Sequence, residues 1–310
     1  MMLSPETLAE LSLRLVYSAI AVYALAMLAY AAETAGRVTS KALVTAGPPV
    51  DADPSGRWYR IGAIGTSLTV TGFALSVGAV LTRGLAAQRV PWGNMYEFAM
   101  VGAVAAGAAY LTLLYRRPVR ALGVWIVGIV LLVLGLAVTV LYTPVDALVP
   151  VLNSYWLVIH VAAAITGGGV FTVGAVATVL FLIKSRSEVA AEGFDNPRAR
   201  RYATTLPSSK SLDQVAHAAH MFAFPIWTFA VIAGAIWAEN AWGRYWGWDP
   251  KETWAFITWV FYAAYLHAQA TAGWRGRKAS WFALAGYAAF LFNFFGVNLW
   301  ISGLHSYAGV

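Results

Sequence analysis

A bundle of helices embedded in a membrane is the fold class the sequence predicts, on three observations. The 310 residues are 60% hydrophobic and 11% charged, with a mean hydropathy of +0.64, whereas a soluble domain carries about 25% charged residues. Apolar stretches of about 20 residues recur, long enough for a helix across a hydrocarbon layer of about 30 Å. They are continuous, without the short alternating segments of a membrane β-barrel, so helices are the spanning form.

Eight stretches read as spans, at about 11–31, 61–82, 96–115, 121–141, 157–183, 217–238, 254–271 and 279–303. Glu6 and Glu10 precede the first, where a secretory signal carries basic residues, so it reads as a retained helix. The segments GPPVDADPSGR (47–57) and EVAAEGFDNPRARRYATTLPSSKS (188–211) have the composition of solvated linkers. The expectation is therefore a single polytopic membrane domain over 1–310, with flexible cytoplasmic loops at 33–60 and 184–212. With the N-terminus outside, 16 of the 21 Lys and Arg fall in cytoplasmic loops, and Arg14, Arg83, Arg89, Arg244 and Lys251 remain outside. The positive-inside rule thus favours N-out and C-out, in a cell (plasma) membrane. The formal charge of +7 is then a topology signal, and no nucleic acid is needed to explain it.

The outer ends of the spans carry the chemistry. PWGNMYEF (91–98) precedes the third span, and Asn94 with Glu97 three residues later matches a capping box. Trp92, Asn94, Tyr96 and Glu97 equally read as an outer patch, and the sequence leaves the two readings open. His160 stands near the outer end of the fifth span, in NSYWLVIHV. His217 and His220, three apart at the inner end of the sixth, share a helix face. They read as metal ligands or as polar residues at a helix entrance.

Between the sixth and seventh spans an outer segment, 239–254, ends in WGRYWGWDPKETW, with four tryptophans in thirteen residues. Interfacial belts scatter Trp over all helix ends. Concentrating Trp242, Trp246, Trp248 and Trp254 in one loop favours a bound flat ligand instead. Asp249 and Pro250 fit a helix start, with Glu252 in the first turn; Asp249 is also placed to take indole N–H groups or to orient Lys251. His267 lies thirteen residues after Trp254, roughly 20 Å along the helix. An ionisable residue at that depth is a functional expectation, the alternative being a neutral imidazole bonded to a neighbouring helix. His305 follows the eighth span.

His160, His305 and the tryptophan-rich loop thus come to one face from three parts of the chain. Two converging imidazoles suit a six-coordinate haem iron, with the indoles stacked on or edging the ring. Cysteine is absent, which excludes thiol catalysis, disulfides, Fe–S ligation and covalent haem attachment to this chain.

The stretch AENAWGRYWGWDPKETWAFITWVFYAAYLHA, followed by NFFGVNLWISGLHSYA, resembles the CcsA/ResC family of cytochrome c maturation (System II; CcsB in actinobacteria), within the haem-handling proteins that carry a WWD signature. The likeness is close over the last hundred residues or so and looser over WLVIHV and PWGNMYEF. It implies non-covalent haem b held on the outer face by His160 and His305, on a platform of Trp242, Trp246, Gly247, Trp248, Asp249, Pro250 and Trp254. It further implies a transmembrane haem ligand at His267 for haem in transit, with the other ligand supplied by a ResB/Ccs1-like membrane partner. The family often has a Tyr-Arg pair after Leu-Asp where this chain reads LDQVAHAAHMF, which makes His220 an additional candidate. The implied function is to present haem for attachment to the CxxCH of apocytochrome c. The chain would be a subunit of a cytochrome c synthetase (haem lyase) complex, in contact with membrane lipid and without a nucleophile of its own.

Two other classes compete. A membrane b-type cytochrome exchanging electrons with quinone would stack two haems on histidine pairs about 13–14 residues apart on each of two helices, and no helix here carries such a pair. A haem transporter would be expected to show inverted repeats and charged residues near the midplane, whereas the spans are nearly free of charge.

Overall fold

The structure is a computed structural model and describes residues 4–44, 54–148, 150–189 and 202–305. Eight helices organise the described residues: α1 (Pro5–Val44), α2 (Pro54–Ala87), α3 (Met95–Arg116), α4 (Gly123–Thr139), α5 (Tyr155–Val189), α6 (Ser209–Trp242), α7 (Pro250–Ala270) and α8 (Arg277–Leu291). A π-helical turn, Phe292–Gly296, carries α8 into a last short helix, Val297–Trp300. Seven of these elements are long and apolar enough to cross a membrane. The sequence-based count is eight. The exception, α7, has the length at 21 residues but not the apolarity, because Lys251, Glu252, His267 and its indole and phenol groups dilute the aliphatic content.

Burial runs as it does in lipid. Leu25, Leu28, Leu81, Leu132, Phe222 and Ile232 face outward, while the interior is rich in alanine, including Ala19, Ala26, Ala103, Ala106, Ala230, Ala233 and Ala283. Lipid gives apolar side chains no reason to hide, so helices associate through close packing of small residues. Where a ring must lie against a neighbouring backbone, glycine makes room. A Cβ at Gly65 would stand 3.0 Å from the Tyr30 ring, and one at Gly72 3.0 Å from Tyr23. These contacts pair α1 with α2; α5 pairs with α6 and α7 with α8, while α3 and α4 join the first hairpin to the second.

The helices run on beyond the apolar spans. The sequence reads 33–60 as a loop, yet α1 continues to Val44 and α2 resumes at Pro54, so only 45–53 remain, outside the described residues. Glu33 explains the continuation, since it is clasped by Arg37 one turn on (2.6 Å) and by Arg120 (3.0 Å). Likewise α5 runs to Val189 and α6 starts at Ser209, so most of 184–212 is helical or lies outside the described residues. At the opposite end Glu97, fully buried, binds Arg83 at 2.9 Å and Arg89 at 2.7 Å. Arg83 also donates to the carbonyls of Thr143 and Pro144. That cluster ties together α2, α3 and the segment after α4 at this end of the bundle.

Candidate functional site

At that end a cavity opens between the starts of α3, α5 and α7 and the ends of α6 and α8. Counting its open mouth, it encloses about 1180 Å³ of atom-free space, of which about 190 Å³ admits the centre of a water molecule. Its walls are mainly aromatic and aliphatic, and His160 and His305 both line it.

Each imidazole is held by its Nδ1. His160 lies in the second turn of α5, and its Nδ1 is 2.7 Å from the carbonyl oxygen of Ala230 on α6. A carbonyl only accepts, so Nδ1 carries the proton and the lone pair stays on Nε2. Gly234 makes this approach feasible, because a Cβ there would stand 2.7 Å from the imidazole. His305 donates from Nδ1 to Oδ2 of Asp249 at 2.8 Å. Asp249 is fixed in turn, since its Oδ1 accepts from the Leu304 N–H (2.8 Å) and its Oδ2 from the Lys251 N–H (3.2 Å). Burial raises the Asp249 carboxyl, but the His305 ring and these two N–H groups outweigh it and hold the pKa down at about 2. Burial likewise pushes the His305 imidazole below its usual value, outweighing the pull of Asp249. The site therefore holds a carboxylate against a neutral ring, the arrangement that orients histidine ligands in metal sites.

Trp237 ties the two rings together. It is parallel to His160 at 6.3 Å and tilted against His305 at 5.7 Å, so the two imidazole centres stand no more than about 12 Å apart. Trp242 closes edge-on over both Trp237 and His305, each at 4.9 Å.

The tryptophan-rich loop is locally specified. Helix α6 stops at Trp242 because Gly243 takes the left-handed conformation, φ +70°. Asp249 caps α7 in a full capping box with Glu252, and Pro250 occupies the first helical position. Glu252 also receives Arg244 and the N–H groups of Gly247 and Asp249. The Arg244 guanidinium lies where a Cβ at Gly247 would stand, so the glycine lets it pack against the loop backbone. Between them Trp248 takes φ +60°, costly for a bulky side chain, and its indole is 64% exposed.

The platform expected from the sequence is thus divided. Trp242 and Trp246 line the cavity. Trp248 points outward beside Trp246 and Phe256, and Trp254 packs on Phe292 at 4.3 Å. Asp249 takes no indole N–H; it holds His305. Of the segment before α3, Trp92 and Asn94 line the cavity, and Asn94 caps α3 by accepting from the Glu97 N–H. Tyr96 and Glu97 are buried beneath it, and the Glu97 carboxylate receives the Gly93 N–H and its two arginines rather than closing a reciprocal box.

The remaining histidines lie elsewhere. His267 is exposed in the last turn of α7, which ends at Ala270, close to the end expected from the sequence. His220 is fully buried against Phe171, Tyr262 and Tyr265, with Nε2 3.1 Å from the Thr178 hydroxyl; His217 faces Tyr265. Among the described residues no three His, Cys, Asp or Glu side chains cluster as a metal site. Trp237, Trp227, Lys251 and Asn293 also line the cavity. The sequence names Lys251 only as a residue Asp249 could orient and does not single out the other three, since a Trp in an apolar helix and an Asn near a helix end carry no distinguishing pattern.

Fold and site define a multi-pass membrane protein with an aromatic cavity flanked by two oriented imidazoles. A family model described as "Cytochrome C assembly protein" matches residues 92–305. The "Cytochrome c biogenesis protein CcsA" of Guillardia theta is 33% identical over 242 residues, covering 73% of this chain and 79% of the relative. That of Synechococcus sp. (strain JA-2-3B'a(2-13)) is 32% identical over 289 residues, covering 76% and 83%. Among solved structures, "Cytochrome c Heme Lyase CcmF" superposes with a TM-score of 0.65 at 18% identity, over 95% of this chain and 47% of that longer one; the likeness is one of fold. The chain belongs to the cytochrome c assembly protein family, in its CcsA/ResC branch, and so to the multi-pass membrane proteins of cytochrome c maturation, which in bacteria reside in the plasma membrane.

Proposed function

We propose that this chain holds haem b non-covalently in the cavity, with His160 and His305 as axial ligands, and presents it for covalent attachment to apocytochrome c. The observation that carries the proposal is that both imidazoles line one cavity with Nδ1 committed to a fixed acceptor, which leaves Nε2 as the ligating atom of each ring. The aromatic walls suit a flat macrocycle. Haem is the cargo: it supplies the iron that the imidazoles hold and the vinyl groups to which the client's CxxCH thiols add.

This chain's own work is positioning. Ala230 and Asp249 aim the two rings, Trp237 and Trp242 set their separation, and Trp246 and Trp248 shape the rim. Fixing one reactant before the other arrives removes several kcal/mol of barrier. Without cysteine the chain offers no competing thiol. In this reading all eight helices span, N-out and C-out, with the cavity outside. His267, exposed on α7, meets a ResB/Ccs1-like partner that completes a transmembrane haem site on the route outward.

The test is the His160→Ala, His305→Ala double variant. Loss of the six-coordinate low-spin haem spectrum is expected. Unchanged haem content and spectrum would refute the outer site.

A further inference from the structure

Lys251 is the basic side chain in the cavity wall that the reading above does not use. It sits in the first turn of α7 and lines the cavity, and its Nζ donates to the carbonyl of Asn293 at 2.9 Å. That carbonyl belongs to the π turn Phe292–Gly296, a distortion of helix geometry that recurs at functional sites. An ammonium has three N–H donors, and this bond uses one.

Neither neighbouring acid is available to it. The oxygens of Asp249 are taken by His305, Leu304 and the backbone of Lys251 itself. Those of Glu252 are taken by Arg244, Gly247 and Asp249. Among the described residues no carboxylate comes within 4.0 Å of Lys251 Nζ. Two further polar atoms of the same lining, Asn293 Oδ1 and Trp92 Nε1, are buried with no protein partner. A positive charge on a wall of indoles, alanines and phenylalanines is costly unless an anion meets it.

We infer that Lys251 anchors a carboxylate of the cavity's occupant, so that the ligand class is an acidic macrocycle whose propionate pairs with Nζ while its iron lies between the imidazoles. The inference rests on the haem reading above and adds an orientation to it. In protoporphyrin the vinyl groups lie across the ring from the propionates, so a propionate held at Lys251 turns the reactive edge away from α7. Lys251 is then a positioning residue: it fixes rotation about the axis through the iron, which two axial ligands alone leave free.

The experiment uses the full-length protein in detergent, titrated with iron protoporphyrin IX and, separately, with its dimethyl ester, followed by the Soret band. The wild type is expected to bind the free acid about tenfold or more tightly than the ester, the worth of one charge-assisted bond. Lys251→Gln is expected to lose that preference while keeping the two-imidazole spectrum, and Lys251→Arg to retain most of it. Equal wild-type affinity for acid and ester overturns the inference, as does a full preference kept in Lys251→Gln, while the haem reading stands in both cases. A wild type that binds neither porphyrin with two imidazoles sinks the haem reading, and the inference with it.

Discussion

Replacing Asp249 by serine separates two jobs that one carboxylate performs. Oδ2 accepts from His305 Nδ1 at 2.8 Å and from the Lys251 N–H at 3.2 Å, and Oδ1 accepts from the Leu304 N–H at 2.8 Å. Serine is as good a helix N-cap as aspartate, so α7 keeps its start. A hydroxyl on a single carbon does not reach Leu304 and His305 as well, so the tether of the C-terminal segment to the loop is lost. A hydrogen bond to a charged acceptor contributes about 1.5–3 kcal/mol net, and loss of such an orienting partner lowers affinity by about 10- to 100-fold in histidine metal sites. Haem affinity of Asp249→Ser should therefore fall by about that factor, with a shift from six- towards five-coordinate iron, while thermal unfolding in detergent changes little. Asp249→Asn retains one oxygen and should lie between the two. Wild-type affinity and spectrum in Asp249→Ser would show that His305 needs no orienting acid, and the account of the outer site would fail.

Four further outcomes are expected. Gly234→Ala places a methyl 2.7 Å from the His160 ring and should cost about 1–3 kcal/mol by overpacking, with weakened haem binding. Gly135→Ala, where nothing lies within 4 Å, should leave both unfolding temperature and haem titration at wild type or slightly better. Glu97→Gln leaves Arg83 and Arg89 short of their buried counter-charge and should destabilise by about 3–5 kcal/mol, read as a lower unfolding temperature in detergent. His267→Ala should keep the outer-site spectrum of the isolated chain yet lower covalent c-type cytochromes in cells, measured by haem staining of gels; normal staining would remove the relay role.

The fold was legible because a bilayer imposes its own arithmetic. Continuous apolar stretches, basic loops and the lack of alternation point to one architecture, and seven apolar helices of the right length are there. Helix ends were less legible. Composition around Glu33 looks like a solvated loop, whereas the helix is sustained by Arg37 and by Arg120, 87 residues further on. No local pattern announces a partner that distant. Helix α7 misleads in the opposite sense, because Lys251, Glu252, His267 and its indole and phenol groups lower the apolarity by which a span is recognised.

The candidate site was legible in its residue types and not in its bonds. Histidine and clustered tryptophan betray themselves in an apolar chain because little else there is chemically active. What orients them is set in three dimensions: a carbonyl on α6 for His160, and for His305 a carboxylate 56 positions away whose local role is to start a helix. Asp249 reads from sequence as a cap, and it is one. Its second role arises because the capping position lies at the cavity rim, where the chain returns after α8. Serving both with one carboxylate couples the start of α7 to the placement of His305. Under the proposed haem reading, a loop that rearranged to admit a client would move His305 with it, and the grip on haem would loosen at the moment the client's own histidine approached.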